Sequence, residues 1–438
     1  MIKRFFECLV PISKCNLRCE YCYVIQENRR NISNPEITYS MEDWETAVSM
    51  ERVGKSFFSF CGYGETLITK EPFLKIIIST LKIGHVVNIT SNGTISASID
   101  YLLELSKELQ SNLLFSFSLH YDELKKRKML DIFAENVNKV MHSEASCFVQ
   151  INLCDSYIAE IDEIKDYCIK EFGCLPQVAL TRREGEEYSI FSDFSPKEYE
   201  RYGKSFDSQL FSCTFKNFNV KRLEFCHAGA NTFRLDLADG GLRRCYAEEP
   251  FMNIFDKTIK EIPDLPVGRH CRSDYCTNSS HFLSLGAISD FDCISYAGLR
   301  NREVGWIKNG VLEELSEKIC INNEDIEINF ANAGDVVIYG AGVAAKDTLH
   351  YLKSIQVVPQ FFVVTDFSGG YEEPKEICGI KVVGLDEVKA LLADKTIIIA
   401  IKDYSVIHKI ETMLNKEGIT KIYNYYNILA QDNYGTYE

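Results

Sequence analysis

The most constraining feature of this 438-residue chain is the alternation of apolar runs with helical stretches over its first 205 residues. FFECLVPI, SFFSFCGYG, HVVNITSNG, LLFSFSLH, CFVQINLC and PQVALTRRE each read as a buried strand. Between them, 41–54, 72–83, 99–109, 131–142 and 159–172 read as helices. Runs apolar on both faces and separated by helices predict parallel βα units. Six such units fit a partial (βα)6, TIM-like barrel over 1–205, with functional residues in the loops after the strands. Residues 206–327 form a second, cysteine-rich region with Cys213, Cys226, Cys245, Cys271, Cys276, Cys293 and Cys320. Residues 328–438 return to strand–helix alternation and predict a doubly wound, Rossmann-like α/β domain. The fold class is therefore α/β, in three domains.

Composition narrows the function. The net charge of −15 opposes a nucleic-acid binder, which needs a basic face. No apolar run approaches the ~18 residues of a membrane span, and the N-terminus lacks the apolar core of a signal peptide. A cytoplasmic location is expected. The 17 cysteines are then reduced, and in a chain of this size they point to metal or redox chemistry rather than to disulfide staples.

Cys15, Cys19 and Cys22 form a Cys-x3-Cys-x2-Cys loop directly after the first strand. Soft thiolates select iron–sulfur clusters or zinc, and a four-iron cluster held by three cysteines leaves one iron open. A zinc knuckle with a fourth ligand elsewhere, or unliganded core cysteines, are the other readings. With this loop in place the sequence resembles the radical S-adenosylmethionine (SAM) superfamily over residues 5 to about 185. CNLRCEYCY resembles the cluster loop, with aromatic Tyr21 before the last cysteine. CGYGETL resembles the family's Gly-Gly-Glu-Pro segment, with Tyr63 and Thr66 in place of its first glycine and its proline. ITSNGT and FSFSLHYD resemble the segments after strands 3 and 4.

The resemblance implies a site-differentiated catalytic [4Fe-4S] cluster on Cys15, Cys19 and Cys22. It implies SAM contacts from Tyr21, Gly62, Tyr63, Gly64, Glu65, Ser91, Asn92 and Ser118, with Asn152 and Arg127 also in reach. The implied reaction reductively cleaves SAM to a 5′-deoxyadenosyl radical that takes hydrogen from a substrate. A flavodoxin or ferredoxin would donate the electron.

FCHAGANTFRLDLADGGLRRCY carries Cys226, Cys245 and a tight Asp239-Gly240 hairpin turn, and HCRSDYC carries Cys271 and Cys276. Four cysteines in two pairs suffice for a second four-iron cluster or for a zinc ribbon. This stretch resembles the SPASM/twitch auxiliary-cluster extension, in its one-cluster twitch form. Cys213 and Cys293 are plausible substitutes for the fourth ligand. In the C-terminal region Gly340 and Gly342 open a strand–turn–helix where a phosphate could sit, and Asp366 ends the next strand at a position suited to a ribose. Tight helix–sheet packing explains the same glycines without a ligand. The region also resembles nucleotide-sugar-binding domains of surface-polysaccharide enzymes.

The leading expectation is a radical SAM oxidoreductase acting on a sugar or nucleotide-sugar in polysaccharide biosynthesis, with an auxiliary [4Fe-4S] cluster. The alternative is a maturase modifying a ribosomally made peptide, against which stands the absence of a leader-binding module before the first strand. A non-catalytic nucleotide-binding metalloprotein is the third reading. His120 and His227 read as ordinary core or surface histidines.

Overall fold

The computed structural model describes all residues except 70, 185–188, 278, 290, 320–329, 331–334, 366–374 and 433–438. Asp366 and Cys320 lie outside the described residues. The chain forms two compact units. The first comprises Met1–Arg222, Asn231–Leu242 and Ser273–Cys320. The second comprises Leu223–Ala230, Arg243–Arg272 and Ile321–Glu438.

The first unit is built on a parallel sheet. Its strands are β1 (Arg4–Val10), β2 (Ser56–Gly62), β3 (Val86–Ser91), β4 (Leu113–Ser118), β5 (Ser146–Leu153), β6 (Gln177–Leu180) and β7 (Thr232–Asp236). They lie in the order β7-β1-β2-β3-β4-β5-β6, each parallel to its neighbours. The expected hairpin is present: Gly241–Arg243 runs beside β7 after the Asp239–Gly240 turn.

Side chains facing both sides of β1 are mostly buried, as in a covered parallel strand, and the buried set includes Glu7. Phe6 stacks between Phe58 of β2 at 4.9 Å and Phe233 of β7 at 5.3 Å, and all three are fully buried. Each such ring contributes roughly 1.5–3 kcal/mol by its burial. A buried polar row crosses the same sheet. Asn88 on β3 donates to Ser59 Oγ on β2 at 2.8 Å and accepts from Ser116 Oγ on β4 at 2.7 Å.

Two predicted helices are each broken in two at a serine. The 41–54 stretch is Met41–Ala47 followed by Met50–Val53, with Ser49 extended between them. The 99–109 stretch ends its first helix at Leu103, and Ser106 caps a separate turn, Lys107–Gln110. At Ser106 the side chain accepts from Leu109 N at 3.5 Å and so caps the new turn, whereas Ser49 makes no side-chain cap bond.

His85, fully buried just before β3, accepts at Nδ1 from Ser56 N at 3.1 Å and donates from Nε2 to Val48 O at 2.7 Å. Burial lowers its pKa to about 4. An unfolded histidine titrates near 6.5, so between these values only the unfolded chain takes up the proton. Stability is therefore full above about pH 6.5 and falls as the pH drops toward 4. By linkage His85 costs the fold about 2 kcal/mol at about pH 5. Thermal melts at about pH 7 and about pH 5 should show the drop, and His85→Asn should reduce it. An equal drop in the variant would rule His85 out as its source.

The second unit holds a six-stranded sheet: β8 (Val336–Tyr339), β9 (Phe362–Val364), β10 (Glu376–Ile377), β11 (Ile380–Gly384), β12 (Thr396–Ile399) and β13 (Ile422–Asn424). The order is β10-β11-β9-β8-β12-β13, parallel except for the short β10. Strand order reverses at β8, the arrangement of a doubly wound sheet. Its core includes Val336, Ile338, Phe362, Ile398, Leu352 and Ile428. Cysteine-bearing segments belong to this unit. Cys226 pairs with Gly268, and Arg269 N donates to Ala430 O at 2.9 Å.

Candidate functional site

All six parallel strands in sequence order point their C-terminal ends to one edge, and the candidate residues gather there. The cysteine loop leaves β1. Gly62 ends β2, Ser91 ends β3, Ser118 ends β4, and Asn152 lies near the end of β5. One cavity of about 360 Å³ is lined by Cys15, Cys19, Cys22 and Tyr21 from the first loop. Gly62, Tyr63, Gly64 and Glu65 line it from the second, with Ser91, Asn92, Ser118 and Asn152 beyond. Arg127 is instead held by Glu123, at 2.8 Å on its own helix.

The loop is fixed from several sides. Glu65 N donates to Lys14 O at 2.8 Å, and Arg30 Nη2 donates to Cys15 O at 2.9 Å. Gly64 packs so closely on this backbone that an added Cβ would stand 2.2 Å from Lys14 O. Glu123 Oε2 accepts from Arg18 N at 3.0 Å. Cys15 Sγ lies 3.4 Å from Leu17 N and 3.8 Å from Asn92 Nδ2, two N–H groups that favour a thiolate.

Burial raises the thiol pKa of Cys15 and Cys19. The charges of Cys22 and Cys15 push Cys19 up further, so the three thiols sit near enough to repel one another when ionised. Among the described residues, no three His, Cys, Asp or Glu side chains are grouped as a single-ion site.

Glu65 is 3% exposed, and its carboxylate is fully engaged. Oε1 accepts from Leu67 N at 3.1 Å and Ser91 Oγ at 2.7 Å, while Oε2 accepts from Asn92 N at 2.7 Å. Burial raises its pKa against those three hydrogen bonds. The side chain thus clamps the loop after β2 to the loop after β3. Asn92 extends the clamp, donating to Asn16 Oδ1 at 2.8 Å beside Cys15.

Sequence reasoning passed over three residues of this cavity: His120, Arg30 and Arg182. His120 Nδ1 lies 2.6 Å from Tyr21 Oη, which is also 3.1 Å from Tyr157 Oη. Burial lowers His120 to about 4, so it is neutral near pH 7. The available signal was its position two residues beyond the end of β4, in a βα loop.

The second cysteine group is divided. Cys226, Cys245 and Cys271 belong to the second unit. Burial raises Cys245 to about 12, with Cys271 adding repulsion. Cys276 belongs to the first unit and lines the cavity described above. In the second unit Gly340, at φ +117°, turns the chain after β8, and Gly342 precedes the helix Val343–Ser354 with open space around it.

No family model matches the chain, and no curated protein matches it. Among solved structures, Streptococcus suis SuiB bound to S-adenosylmethionine is 14% identical over 56% of this chain, with a TM-score of 0.42. SuiB bound to precursor peptide SuiA gives 14% identity over 58% of this chain and a TM-score of 0.43. Native anSMEcpe with bound AdoMet and Cp18Cys peptide gives 17% identity over 59% of this chain and 79% of its own, at a TM-score of 0.39. The match spans 60% of the S-adenosylmethionine-bound SuiB chain. No helix among the described residues is long and apolar enough to cross a membrane.

Proposed function

We propose that this chain is a radical SAM enzyme acting on a peptide, with a sugar or nucleotide-sugar as the alternative substrate. The observation that carries the reading is the cavity itself. Three cysteines of one short loop share it with the ends of the next four strands, in the order the superfamily resemblance requires. The donor set fits a cuboidal cluster: all sulfur, partly or fully buried, and mutually repelling unless a cation neutralises them. A cuboidal cluster also spaces its ligands more widely than a single ion does.

When bound, such a cluster supplies the electron that cleaves a carbon–sulfur bond of SAM and so supplies the hydrogen-abstracting radical. The residues of the chain hold and orient. Cys15, Cys19 and Cys22 would take three irons. Leu17 N and Asn92 Nδ2 direct hydrogen toward Cys15 Sγ. The Glu65 clamp sets the two neighbouring loops, whose backbone then faces SAM. Arg30 brings positive charge to the cavity beside Cys15, while Arg182, which also lines it, is paired with Glu184 at 3.1 Å. Neutral His120, paired with Tyr21 Oη, can hold a proton at the cavity wall.

We place the peptide first because the sugar reading has less beneath it. It rests on analogy with the C-terminal region, and the acid of its nucleotide fingerprint, Asp366, is outside the described residues. The SuiA and Cp18Cys ligands named above are peptides of those proteins. We further propose a partial barrel over 1–205, an auxiliary-cluster domain over 206–327 with Cys226, Cys245 and Cys271 as ligands of a second [4Fe-4S] cluster, and a Rossmann-like domain over 328–438.

Anaerobic reconstitution tests the cofactors. About eight irons per chain are expected for two clusters, and about four would remove the auxiliary one. Stoichiometric zinc in place of iron would overturn the radical reading. With dithionite and SAM, the reconstituted protein should release 5′-deoxyadenosine. Tight binding of UDP-glucose by the full chain would restore the sugar as first choice.

A further inference from the structure

Cys213 lies on the helix Gln209–Lys216, and Cys293 lies just before the helix Tyr296–Arg300. They are 80 residues apart in sequence, yet their Sγ atoms are 3.0 Å apart. Both side chains are half-buried, so small molecules can reach them. Closing this gap to a disulfide's ~2.05 Å needs only about 1 Å of movement.

The surroundings are cationic. Arg300 is 1% exposed, and no carboxylate pairs with it among the described residues. Its Nη atoms donate to Tyr296 O at 3.2 Å and Ser280 O at 2.9 Å, while its Nε is buried without a hydrogen-bond partner. Its guanidinium stacks on the Tyr296 ring at 3.7 Å, and the titratable groups near it are the Tyr296 phenol, the two thiols and buried His281. Lys216 adds positive charge near Cys213, and Lys318 near Cys293; exposed Asp292 lies 3.9 Å from Lys216 Nζ. A buried guanidinium is costly without an anion, and a thiolate beside it supplies one. Either sulfur can donate to the other, but among the described residues only Cys213 Sγ has a second N–H beside it, Asn217 Nδ2 at 3.8 Å, and this favours Cys213 as the thiolate and nucleophile.

We propose that Cys213 and Cys293 form a redox-active pair that interconverts between dithiol and disulfide by exchange with a low-molecular-weight disulfide. The Cys213 thiolate attacks one sulfur of the external disulfide, forming a mixed disulfide and releasing one thiol. Cys293, deprotonated, then attacks Cys213 Sγ, closing the internal disulfide and releasing the second thiol. Two protein thiols are oxidised and one external disulfide is reduced to two thiols.

The pair reports to the main cavity through Asn217. Its Nδ2 donates to Cys213 O at 2.7 Å and lies 3.8 Å from Cys213 Sγ, and Asn217 lines that cavity. Oxidation would therefore act on the wall of the candidate site, and it depends on neither the cluster nor the substrate reading.

The test equilibrates the reconstituted full-length protein anaerobically with reduced and oxidised glutathione at a series of ratios. Acid quenching, alkylation and peptide mapping follow. The expected product is a peptide pair joining residues 213 and 293, two hydrogens lighter than its reduced parts, with a yield that tracks the ratio. In Cys293→Ser the ring cannot close, and Cys213 should retain one glutathione instead. If that variant does not fold, the linked wild-type peptide alone decides. Full alkylation of both thiols at every ratio would overturn the proposal. So would thiols that react only after iron or zinc is chelated, which would return the pair to the role of cluster ligands.

Discussion

Cys19→Ala is expected to remove about four irons per chain and to cut 5′-deoxyadenosine formation at least about 100-fold. Losing even an outer-shell partner of a metal ligand costs 10–100-fold in affinity or activity, and Cys19 is proposed as a direct ligand. It is the most buried of the three loop cysteines, 8% exposed, with the thiols of Cys22 and Cys15 as its charged neighbours. Two thiolates on a strand-end loop cannot hold a cuboidal cluster that needs three. The control is Cys8→Ala. Cys8 is fully buried on β1 and does not line the cavity, so its loss should lower stability and leave iron unchanged. Iron content and SAM cleavage at wild-type levels in Cys19→Ala would sink the assignment of the first loop.

The second large effect is expected at Gly64. Its backbone is pressed against the cysteine loop: an added Cβ would lie 2.2 Å from Lys14 O and 2.8 Å from both Lys14 C and Lys14 N. Those are main-chain atoms, so no side-chain rotation relieves the clash. Gly64→Ala must push the loop after β2 away from Lys14 and strain the Glu65 N to Lys14 O bond. Overpacking of this kind costs about 1–3 kcal/mol. Thermal melts should show it, and iron loading should fall with it because the displaced segment positions the cysteine loop. Gly342→Ala is the matched control, since nothing lies within 4 Å of its added Cβ. Equal melting temperatures for the two variants would show that the close approach at Gly64 does not exist.

What could be read from the sequence was local. The Cys15–Cys22 spacing, the buried strand runs and the Asp239–Gly240 turn are short-range patterns, and each has a single simple geometry. Contacts made across the fold were not legible. The Glu65 carboxylate accepts from Leu67 N, Ser91 Oγ and Asn92 N, two of them 26 and 27 residues away, a clamp that no local pattern announces. His120 looked like an ordinary histidine until β4 placed it opposite Tyr21, 99 residues distant. Cys271 and Cys276 are neighbours in sequence but fall in different units, while Cys213 and Cys293 are distant in sequence and touch. Helix breaks at Ser49 and Ser106 were missed because apolar periodicity continues through them, and at Ser106 a side-chain cap competes with it only once the backbone turns.

The buried amide of Asn88 has a consequence for the site. It joins Ser59 and Ser116 across three strands in an interior built mainly from aromatic and aliphatic groups. Apolar packing alone tolerates a slipped strand, because one phenylalanine can replace another. An amide cannot slip, since a two-residue shift of β2 or β4 would strand a donor or an acceptor out of reach of water. Asn88 therefore acts as a registration pin. By fixing how far each strand runs, it levels the points where Gly62, Ser91 and Ser118 leave the sheet, and a rim set level in this way can present groups from successive strands to one small molecule.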